Sequence, residues 1–544
     1  MQLPRIAGWL LIGLAIAACG GAMALHFEIG LNSDNQLYLQ QTQRWLQGRA
    51  LYTSLVMPSP PMIFALYAPV VGASLASGLP FSLGFDVWTS CLLAVSLLLC
   101  HHILACRPAP HDPLIRWLIL SLIAAGLVIL PLRDNVFGDR DHLFALLFSP
   151  YLLLLSPYGV TAGLGRRSRV LISLCAAIGL GIKPYLLAIW GMQQAYWMLR
   201  ERSLLRVPRR FETQLVGAAF GAYALAIWLA TPEYLRTVAP MAWATYPAIS
   251  PPFSHRLATI VRAWTMILAL PLAGSASLLR RASRPALRNI TYFLCASVGA
   301  SISGFAGGWH YAYYPLYLLA FAFAVSVIAG LLAAVRDFWP ASKTLAGGFL
   351  LGATFLSVMP VATQLFEPAR ERGAIDAEQQ RRTGWPRGRQ RPPAEIGRFF
   401  DKHLGVVAQP RFLLLGNGLW DSRLVDFDPA RTSVARFYAL WPLPALVAAG
   451  SEPEHAARMA WIRRDLYRGL TEDLRDNRPD VVFVERSVWM WGLPRSFDVL
   501  GFCLRHPPFA EAWRDYVLVE QIDVCTQWPN LCAFDVFYRK DLIR

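Results

Sequence analysis

Residues 166–210 read RRSRVLISLCAAIGLGIKPYLLAIWGMQQAYWMLRERSLLRVPRR. Two apolar stretches meet at Lys183 and Pro184, and arginine-rich stretches flank the pair on both sides. Basic residues accumulate in the cytoplasmic loops of membrane proteins. If both flanks lie on that side, the chain between them must cross twice or make a two-way excursion, with Lys183 at its far point. The stretch therefore predicts a polytopic α-helical membrane protein.

The composition of the whole chain agrees with this interpretation. Its 544 residues are 55% hydrophobic with a mean hydropathy of +0.38, above the roughly 45–50% apolar content of soluble domains. The long apolar runs fall within residues 1–361, residues 362–393 are polar and include an Arg/Pro-rich stretch, and the rest resembles a globular domain. We predict a transmembrane domain at 1–361, a linker at 362–393 and a soluble domain at 394–544.

The number of crossings follows from segment length, because about 20 apolar residues span a bilayer core. Residues 1–361 contain about eleven candidate transmembrane helices, several of them short. They are residues 6–25, 82–105, 115–131, 142–157, 170–183, 184–199, 213–230, 256–279, 289–304, 314–335 and 343–361.

Charge predicts the sidedness. Residues 1–361 hold 25 Lys and Arg against 11 Asp and Glu, a net +14 of the chain's +16. Because this excess lies in loops between apolar segments, it indicates membrane orientation rather than nucleic-acid binding. Loops 106–116, 158–169, 200–212, 280–288 and 336–343 are the basic set, alternating with less basic ones. The alternation predicts a cytoplasmic N-terminus, an external C-terminal domain and an interfacial or re-entrant helix at 61–79.

The C-terminal part has the pattern of a small α/β domain. Strands are predicted at 411–416, 480–485, 516–522 and 534–539, and a helical stretch at 454–475. Cys525 and Cys532 are the nearest pair of cysteines there and are candidates for a disulfide in an oxidising compartment. No Cys/His spacing in the sequence is typical of a zinc site.

Two predicted external loops concentrate the acidic residues. In the first, Asp34 opens an amphipathic helix in which Tyr38, Gln41 and Trp45 follow at helical spacing. Asp34 could cap this helix, hold a proton as a base, or do both, since an acid is favourable at a helix start. In the second loop, residues 133–142 read RDNVFGDRDH. Ionisable groups near membrane depth are costly and usually functional.

The stretch from the first helix through Asp34 to Tyr52 and Pro58-Ser59-Pro60-Pro61 resembles the start of a C-superfamily (GT-C) glycosyltransferase. That group includes protein O-mannosyltransferases and the aminoarabinose transferase acting on lipid A. The resemblance covers roughly residues 6–190. It implies an inverting, multi-pass enzyme of the cell inner membrane. Such an enzyme moves a sugar from a polyprenyl-phosphate donor to a glycan, lipid or protein acceptor on the periplasmic face.

The resemblance also implies roles for single residues. Asp34 matches the general base that takes the acceptor proton, and the second acid is Asp139 or Asp141. The departing phosphate needs cations or a metal. The candidates on the predicted outer face are Arg133, Arg140, His142, Lys183 and His310. The sequence departs from the family at Ser59, where a lysine usually precedes the two prolines.

Each candidate also has a structural interpretation. Lys183 could snorkel to the interface, Arg140 could pair with a neighbouring aspartate, His142 could cap its helix, and His310 could belong to an aromatic belt. No residues have the spacing of a metal cage, although a divalent metal stays open as a cofactor.

Two other functions compete with a transferase. A transporter or flippase would show internal repeats and acids along a path between the membrane faces. A non-catalytic scaffold could share the fold, because fold does not establish function. In an enzyme, Asp34 and the second acid must converge on one cavity that lipid can enter.

Overall fold

The computed structural model describes most of the chain in two compact units. The residues described are 3–29, 31–106, 136–157, 163–249, 284–307, 394–416, 431–450, 453–486, 497–523 and 533–543, with isolated positions between 116 and 131, between 253 and 261, and at 493. The first unit comprises residues 1–32, 82–224 and 251–389, and the second comprises 33–81, 225–250 and 390–544.

Long helices account for the described part of the first unit. In chain order they are α1 (Leu3–Ile29), α4 (Phe81–Ala105), α5 (Arg140–Leu155), α6 (Arg166–Ile182), α7 (Leu187–Glu201), the first part of α8 (Phe211–Ala230) and α10 (Arg284–Gly307). A single 3-10 turn, Pro184–Leu186, separates α6 from α7. Seven of the predicted spans therefore coincide with helices, if α6 and α7 are counted separately.

Two of the described helices, α4 and α8, are long and apolar enough to cross a membrane by length and composition. The predicted spans 314–335 and 343–361 lie outside the described residues, and 115–131 and 256–279 are described only at isolated positions. The predicted total of about eleven spans stays a prediction.

Six helices of the first unit run in two opposite directions. At one end α4, α5 and α7 finish while α6, α8 and α10 begin. The contacts that join this end are Ser168 Oγ with His102 Nε2 (3.2 Å), Trp197 Nε1–H with the Leu155 carbonyl (3.1 Å), Arg169 with Glu212 (2.5 Å) and Tyr196 O–H with the Arg288 carbonyl (3.0 Å). We call it the arginine end, since the arginine-rich residues 166–169, 200–210 and 284–288 lie there. These basic stretches were predicted to lie on one side of the membrane, and their position at one end of the unit agrees with that. Which side of the membrane this end faces stays a prediction.

The break at Lys183 reverses the chain. Lys183 has extended backbone angles (φ −142°, ψ 116°), and Pro184, which has no N–H to donate, opens the 3-10 turn. Helix α10 packs closely on the start of α7, where a Cβ on Gly299 would lie 2.6 Å from the backbone of Ile189. Ser303 Oγ–H of α10 also donates to the Tyr185 carbonyl at 2.8 Å. The predicted two-way excursion through 170–199 is thus two antiparallel helices.

The second unit combines short helices with a sheet. Its helices are α2 (Ser33–Leu46), α3 (Met62–Ser77), α9 (Ala239–Ile249), α11 (Ala394–Leu404), α12 (Leu443–Ala449), α13 (Pro453–Arg458), α14 (Ala460–Arg475), α15 (Val499–Leu504) and α16 (Pro507–Trp513). At 16 residues, α3 is about 24 Å long, shorter than a bilayer core of about 30 Å. That length suits the predicted interfacial or re-entrant helix.

The sheet has five strands in the order β2-β1-β3-β5-β4. The strands are β1 (Arg411–Leu415), β2 (Thr432–Ser433), β3 (Val481–Glu485), β4 (Tyr516–Asp523) and β5 (Ala533–Arg539). Strand β1 pairs in parallel with β2 and β3, and β5 pairs antiparallel with β3 and β4. Phe400 of α11 stacks on Phe483 of β3 in the core.

The four longer strands lie within one or two residues of the predicted ones, and helices α13 and α14 cover the predicted helical stretch. The two-residue β2 was not predicted, because it is too short to leave a pattern. The candidate disulfide Cys525–Cys532 lies outside the described residues, and Cys503 is a buried free thiol.

Candidate functional site

A buried ion pair lies at the end of the first unit opposite the arginine end. Asp141 is in the first turn of α5, and Lys183 is in the break after α6. Lys183 Nζ lies 2.6 Å from Asp141 Oδ2, and their side chains are 10% and 1% exposed. Removing either partner would leave a charge buried alone, which is far more costly than burying both. The pair therefore fixes the break between α6 and α7 against the start of α5.

Asp139 and Arg140 form a second acid–cation pair beside the first. Asp139 is the N-cap of α5, and its Oδ1 accepts the backbone N–H of Arg140 at 2.6 Å. Arg140 Nε lies 3.7 Å from the same oxygen. A carboxylate at this position is stabilised by the helix dipole as well as by the hydrogen bond. Arg140 thus forms an ion pair with Asp139 at a distance too long for a hydrogen bond, as the structural interpretation anticipated.

His142 stabilises the turn that carries these aspartates. Its Nδ1 accepts the N–H of Gly138 at 2.8 Å, and its Nε2 lies 2.8 Å from the Leu127 carbonyl. These partners assign the proton to Nε2. Gly138 has φ +72°, and a Cβ there would lie 2.4 Å from the Phe85 ring. Because both nitrogens of this fully buried ring are occupied, the predicted role of His142 in phosphate binding has no support in this geometry.

One oxygen of the buried pair has no hydrogen-bond partner among the described residues. Asp141 Oδ1 is inaccessible to solvent and unsatisfied, whereas Oδ2 binds Lys183. A buried unsatisfied carboxylate oxygen calls for an explanation, and a missing donor is one such explanation. Residues 139–141 and 183 together carry two acids and two cations, so the cluster is electrically balanced before any ligand binds. The other two predicted cations, Arg133 and His310, lie outside the described residues.

Asp34 belongs to the second unit, in the first turn of α2, and is partly exposed. Its neighbours along the helix are fixed. The Tyr67 hydroxyl of α3 donates to Asn35 Oδ1 at 2.9 Å, and the Tyr38 hydroxyl lies 2.6 Å from Ser59 Oγ. The predicted amphipathic helix is present, and its starting turn is held at two points around Asp34. Whether Asp34 and the aspartates of the first unit converge stays a prediction.

Ser59, the position where the resembled family has lysine, is 3% exposed. Its hydroxyl bonds to Tyr38, and its carbonyl accepts the Tyr52 hydroxyl at 2.8 Å. Tyr52 itself has a positive φ of 68° and donates its N–H to the Leu55 carbonyl. The serine side chain therefore packs inside the first loop. The position at which the resembled family has a lysine is buried in this chain.

We expect Ser59→Lys to destabilise the protein by on the order of 3 kcal/mol, because an ammonium would replace a buried, hydrogen-bonded hydroxyl. Ser59→Ala should cost only about 1 kcal/mol, the loss of one hydrogen bond. Thermal unfolding of the purified variants in detergent measures both. A stable Ser59→Lys with raised activity would contradict the expectation and would show that the position faces the donor.

The C-terminal part of the second unit holds the first loop by its backbone. The N–H of Val56 donates to the Arg436 carbonyl at 2.9 Å, and Trp441 Nε1–H donates to the Val56 carbonyl at 3.1 Å. Val56 and Phe437 also form a short parallel bridge. Residues 436–441 thereby fix the segment that leads to Ser59 and Tyr38. Nothing in the sequence pointed to this contact, because its partners are almost 400 residues apart.

Asp473 stabilises the segment at Arg436 that binds Val56. Its Oδ2 accepts the N–H of Arg436 at 2.8 Å, and Asn477 Nδ2–H donates to Oδ1 at 3.3 Å. Burial raises the pKa of Asp473 to about 7, although the hydrogen bond from the Arg436 N–H and the charges of Arg436 and Arg49 oppose the shift. The carboxyl group is therefore poised to gain or lose a proton near neutrality.

A pKa raised in the folded state means that Asp473 destabilises the fold as the pH rises. The cost begins above the unfolded value near 4 and is complete above about 7, with a ceiling of about 4 kcal/mol for three units. Asp473→Asn should therefore be close to wild type in stability at pH 4, and its advantage in melting temperature should grow as the pH rises to 8. Melting curves of both proteins from pH 4 to 8.5 test this. A variant that is less stable at pH 8 would show that the arginines dominate.

Among the described residues, no group of three or more His, Cys, Asp or Glu side chains could hold a metal ion. The four charged residues of the Lys183 cluster include only two such ligands, Asp139 and Asp141.

Comparisons with known proteins give one structural match. No protein-family model matches the chain, and no curated protein matches it. The structure is similar to the crystal structure of ArnT from Cupriavidus metallidurans bound to undecaprenyl phosphate. The match covers 97% of this chain and 98% of the other, at 13% identity and a TM-score of 0.48.

Proposed function

We propose that the protein is a multi-pass glycosyltransferase of the inner membrane that moves a sugar from a polyprenyl-phosphate donor to a glycan, lipid or protein acceptor on the periplasmic face. The observation that carries the proposal is the Lys183–Asp141 pair beside Asp139–Arg140. Two cations are held by acids at the ends of apolar helices, where a lipid-linked phosphate would lie. The donor class comes from the sequence resemblance around Asp34.

The proposed step exchanges one bond for another at the anomeric carbon. The acceptor hydroxyl oxygen attacks that carbon, its proton passes to the Asp34 carboxylate, and the bond to the phosphate oxygen breaks. Polyprenyl phosphate leaves with the electron pair, and attack from the opposite face inverts the configuration. A positioned carboxylate contributes about 10²–10⁴-fold to such a proton transfer. The sugar passes through an oxocarbenium-like state, as in glycoside hydrolysis.

The cluster of the first unit would serve the leaving group. Lys183 is fixed by Asp141 before the donor arrives, and Arg140 is the residue next to Asp141 in the chain. Cations placed in advance would stabilise the phosphate charge with little reorganisation at the moment of reaction. Asp141 and Asp139 act in this proposal by holding those cations. Asp141 is engaged with Lys183, and Asp139 caps α5. Asp34 is the proton acceptor in this proposal because it matches the general base of the resembled family.

The distribution of acids argues against a transporter. Within the described part of the first unit, the helix-end acids are Glu28, Asp139 and Asp141 at one end and Glu201 and Glu212 at the other. Glu201 and Glu212 each pair with an arginine. Asp86 lies near the start of α4, at the end where Gly138 of the aspartate turn meets Phe85. No described acid lies midway, as a relay between the two membrane faces would need.

The proposal is tested by reconstituting the purified chain in liposomes that contain both polyprenyl-phosphate sugars and an envelope extract of the host that supplies the glycan, lipid and protein acceptors. Consumption of one donor and release of free polyprenyl phosphate, both followed by mass spectrometry, would support it. Envelope glycolipids of cells with and without the chain should then differ by one sugar. Liposomes in which every donor persists, together with unchanged glycolipids, would overturn the proposal.

A further inference from the structure

The arginine end of the first unit carries a dense positive patch. Eight arginines lie at the start of α6 and between α7 and α8. They are Arg166, Arg167, Arg169, Arg200, Arg202, Arg206, Arg209 and Arg210. Two acids, Glu201 and Glu212, accompany them in the described part of this end, so the patch has an excess of six positive charges. Like charges this close repel, and an anion at the patch would relieve the repulsion.

Aromatic rings hold four of these arginines in pairs. The guanidinium carbons of Arg166 and Arg169 lie 5.5 and 5.3 Å from the centre of the Phe211 ring. Those of Arg200 and Arg210 lie 4.7 and 4.1 Å from the Trp197 ring. Stacking on an aromatic face fixes a guanidinium in place and stabilises its charge.

One arginine of each pair is already neutralised. Arg169 pairs with Glu212 at 2.5 Å, and Arg210 pairs with Glu201. Their stacking partners, Arg166 and Arg200, are exposed. Each ring therefore contacts two guanidinium groups. One of them is paired with a glutamate, and the other is exposed. The fork of an exposed, fixed guanidinium matches the geometry of a phosphate group.

Apolar side chains project from the same loop. Leu199, Leu204 and Leu205 are 78%, 74% and 65% exposed and alternate with arginines along residues 199–206. The loop is nevertheless ordered: Val207 is fully buried, and its carbonyl accepts the N–H of Arg210 at 3.0 Å. Exposed leucines between arginines suit the boundary between lipid headgroups and acyl chains, whereas a free phosphate or a nucleic acid would leave the leucines in water.

We propose that this end is a binding site for anionic phospholipid. The headgroup phosphate binds Arg166 and Arg200, and Leu204 and Leu205 contact the upper part of the acyl chains. The inference is independent of the proposed transferase activity, because the Lys183 cluster lies at the other end of the same helices. In the predicted topology the lipid comes from the cytoplasmic leaflet.

The test uses the full-length chain in a zwitterionic detergent. Cardiolipin, phosphatidylglycerol or phosphatidylcholine is added, and bound lipid and melting temperature are measured by native mass spectrometry and thermal unfolding. We expect the anionic lipids to bind and to raise the melting temperature, and phosphatidylcholine to do neither. The double variant Arg166→Gln/Arg200→Gln should bind roughly 30-fold more weakly, at about 1 kcal/mol for each arginine near an anionic surface.

Two exposed arginines of the second unit provide the matched control. Arg464→Gln/Arg514→Gln removes the same charge and should bind lipid as wild type does. If Arg166→Gln/Arg200→Gln does not fold, Arg206→Gln/Arg209→Gln, which alters exposed arginines away from the rings, should still weaken binding. Equal binding of phosphatidylcholine would overturn the proposal. So would wild-type binding by both arginine variants, or an equal melting shift with millimolar inorganic phosphate, which would indicate a site for small anions.

Discussion

Asp34→Asn should lower sugar transfer by about 10²–10⁴-fold, the contribution of a positioned general base. The amide keeps the size of the carboxylate but cannot take the acceptor proton. Because Asp34 lies in the first turn of α2 and is partly exposed, the substitution should leave folding nearly unchanged. In cells, one sugar modification should disappear while its polyprenyl-phosphate donor accumulates. In liposomes, kcat should fall with little change in the KM for donor.

The control is Asp465→Asn, an acid of α14 that pairs with Arg468 on the surface of the second unit. Exposed pairs of this kind contribute about 0–1 kcal/mol, so this variant should retain wild-type activity. A pH profile separates catalysis from structure, because the acidic limb of the wild-type profile reports the titration of the base. An unchanged glycolipid profile in well-folded Asp34→Asn would rule out Asp34 as the base and favour a scaffold or transport role.

The elements of this fold could be predicted from sequence because their signals are local. Arginine-rich stretches bounded the apolar runs that became α6, α7 and α8, and Pro184 marked the break between two of them. Runs of valine and phenylalanine predicted β3 and β5, since β-branched and aromatic residues favour strands. The helix that begins near Asp34 followed from the spacing of Tyr38 and Trp45.

The contacts of the candidate site could not be predicted, because they depend on how distant elements pack. Lys183 and Asp141 are 42 positions apart, and their pairing follows from the packing of α6 on α5. His142 was predicted as a phosphate ligand from its residue type and its position in the second loop. In the structure, its Nδ1 accepts the N–H of Gly138 instead. The attachment of Val56 to Arg436 is made by backbone groups, which no side-chain pattern reveals.

That attachment suggests why a transferase would carry the C-terminal residues of the second unit. Trp441 donates a hydrogen bond to Val56, and Ser59, three residues further on, contacts the hydroxyl group of Tyr38. Tyr38 lies one helical turn after Asp34 in α2. Catalytic groups must be held within fractions of an ångström by their supporting residues. The C-terminal residues therefore would act on the base by fixing the loop that carries it, even without touching substrate.

Lys183→Met should cause the largest loss of both stability and activity. It leaves the Asp141 carboxylate buried without its partner, and breaking a buried pair in this way costs about 3–5 kcal/mol. The exposed pair Lys402–Glu520 provides a matched control, since Lys402 is 63% exposed and such a pair contributes about 0–1 kcal/mol. Lys402→Met should therefore unfold close to the wild-type temperature, whereas Lys183→Met should unfold far below it.

The double variant Lys183→Met/Asp141→Leu separates structure from donor binding. Replacing a whole buried pair with apolar side chains of similar size is often neutral for stability, so most of the lost melting temperature should return. Activity should not return, because the cation proposed to meet the phosphate is still missing, and the loss should be at least about 10²-fold. A double variant that regains both would show that Lys183 only neutralises Asp141. The role of phosphate binding would then pass to Arg140, whose substitution by glutamine in the double-variant background would test it directly.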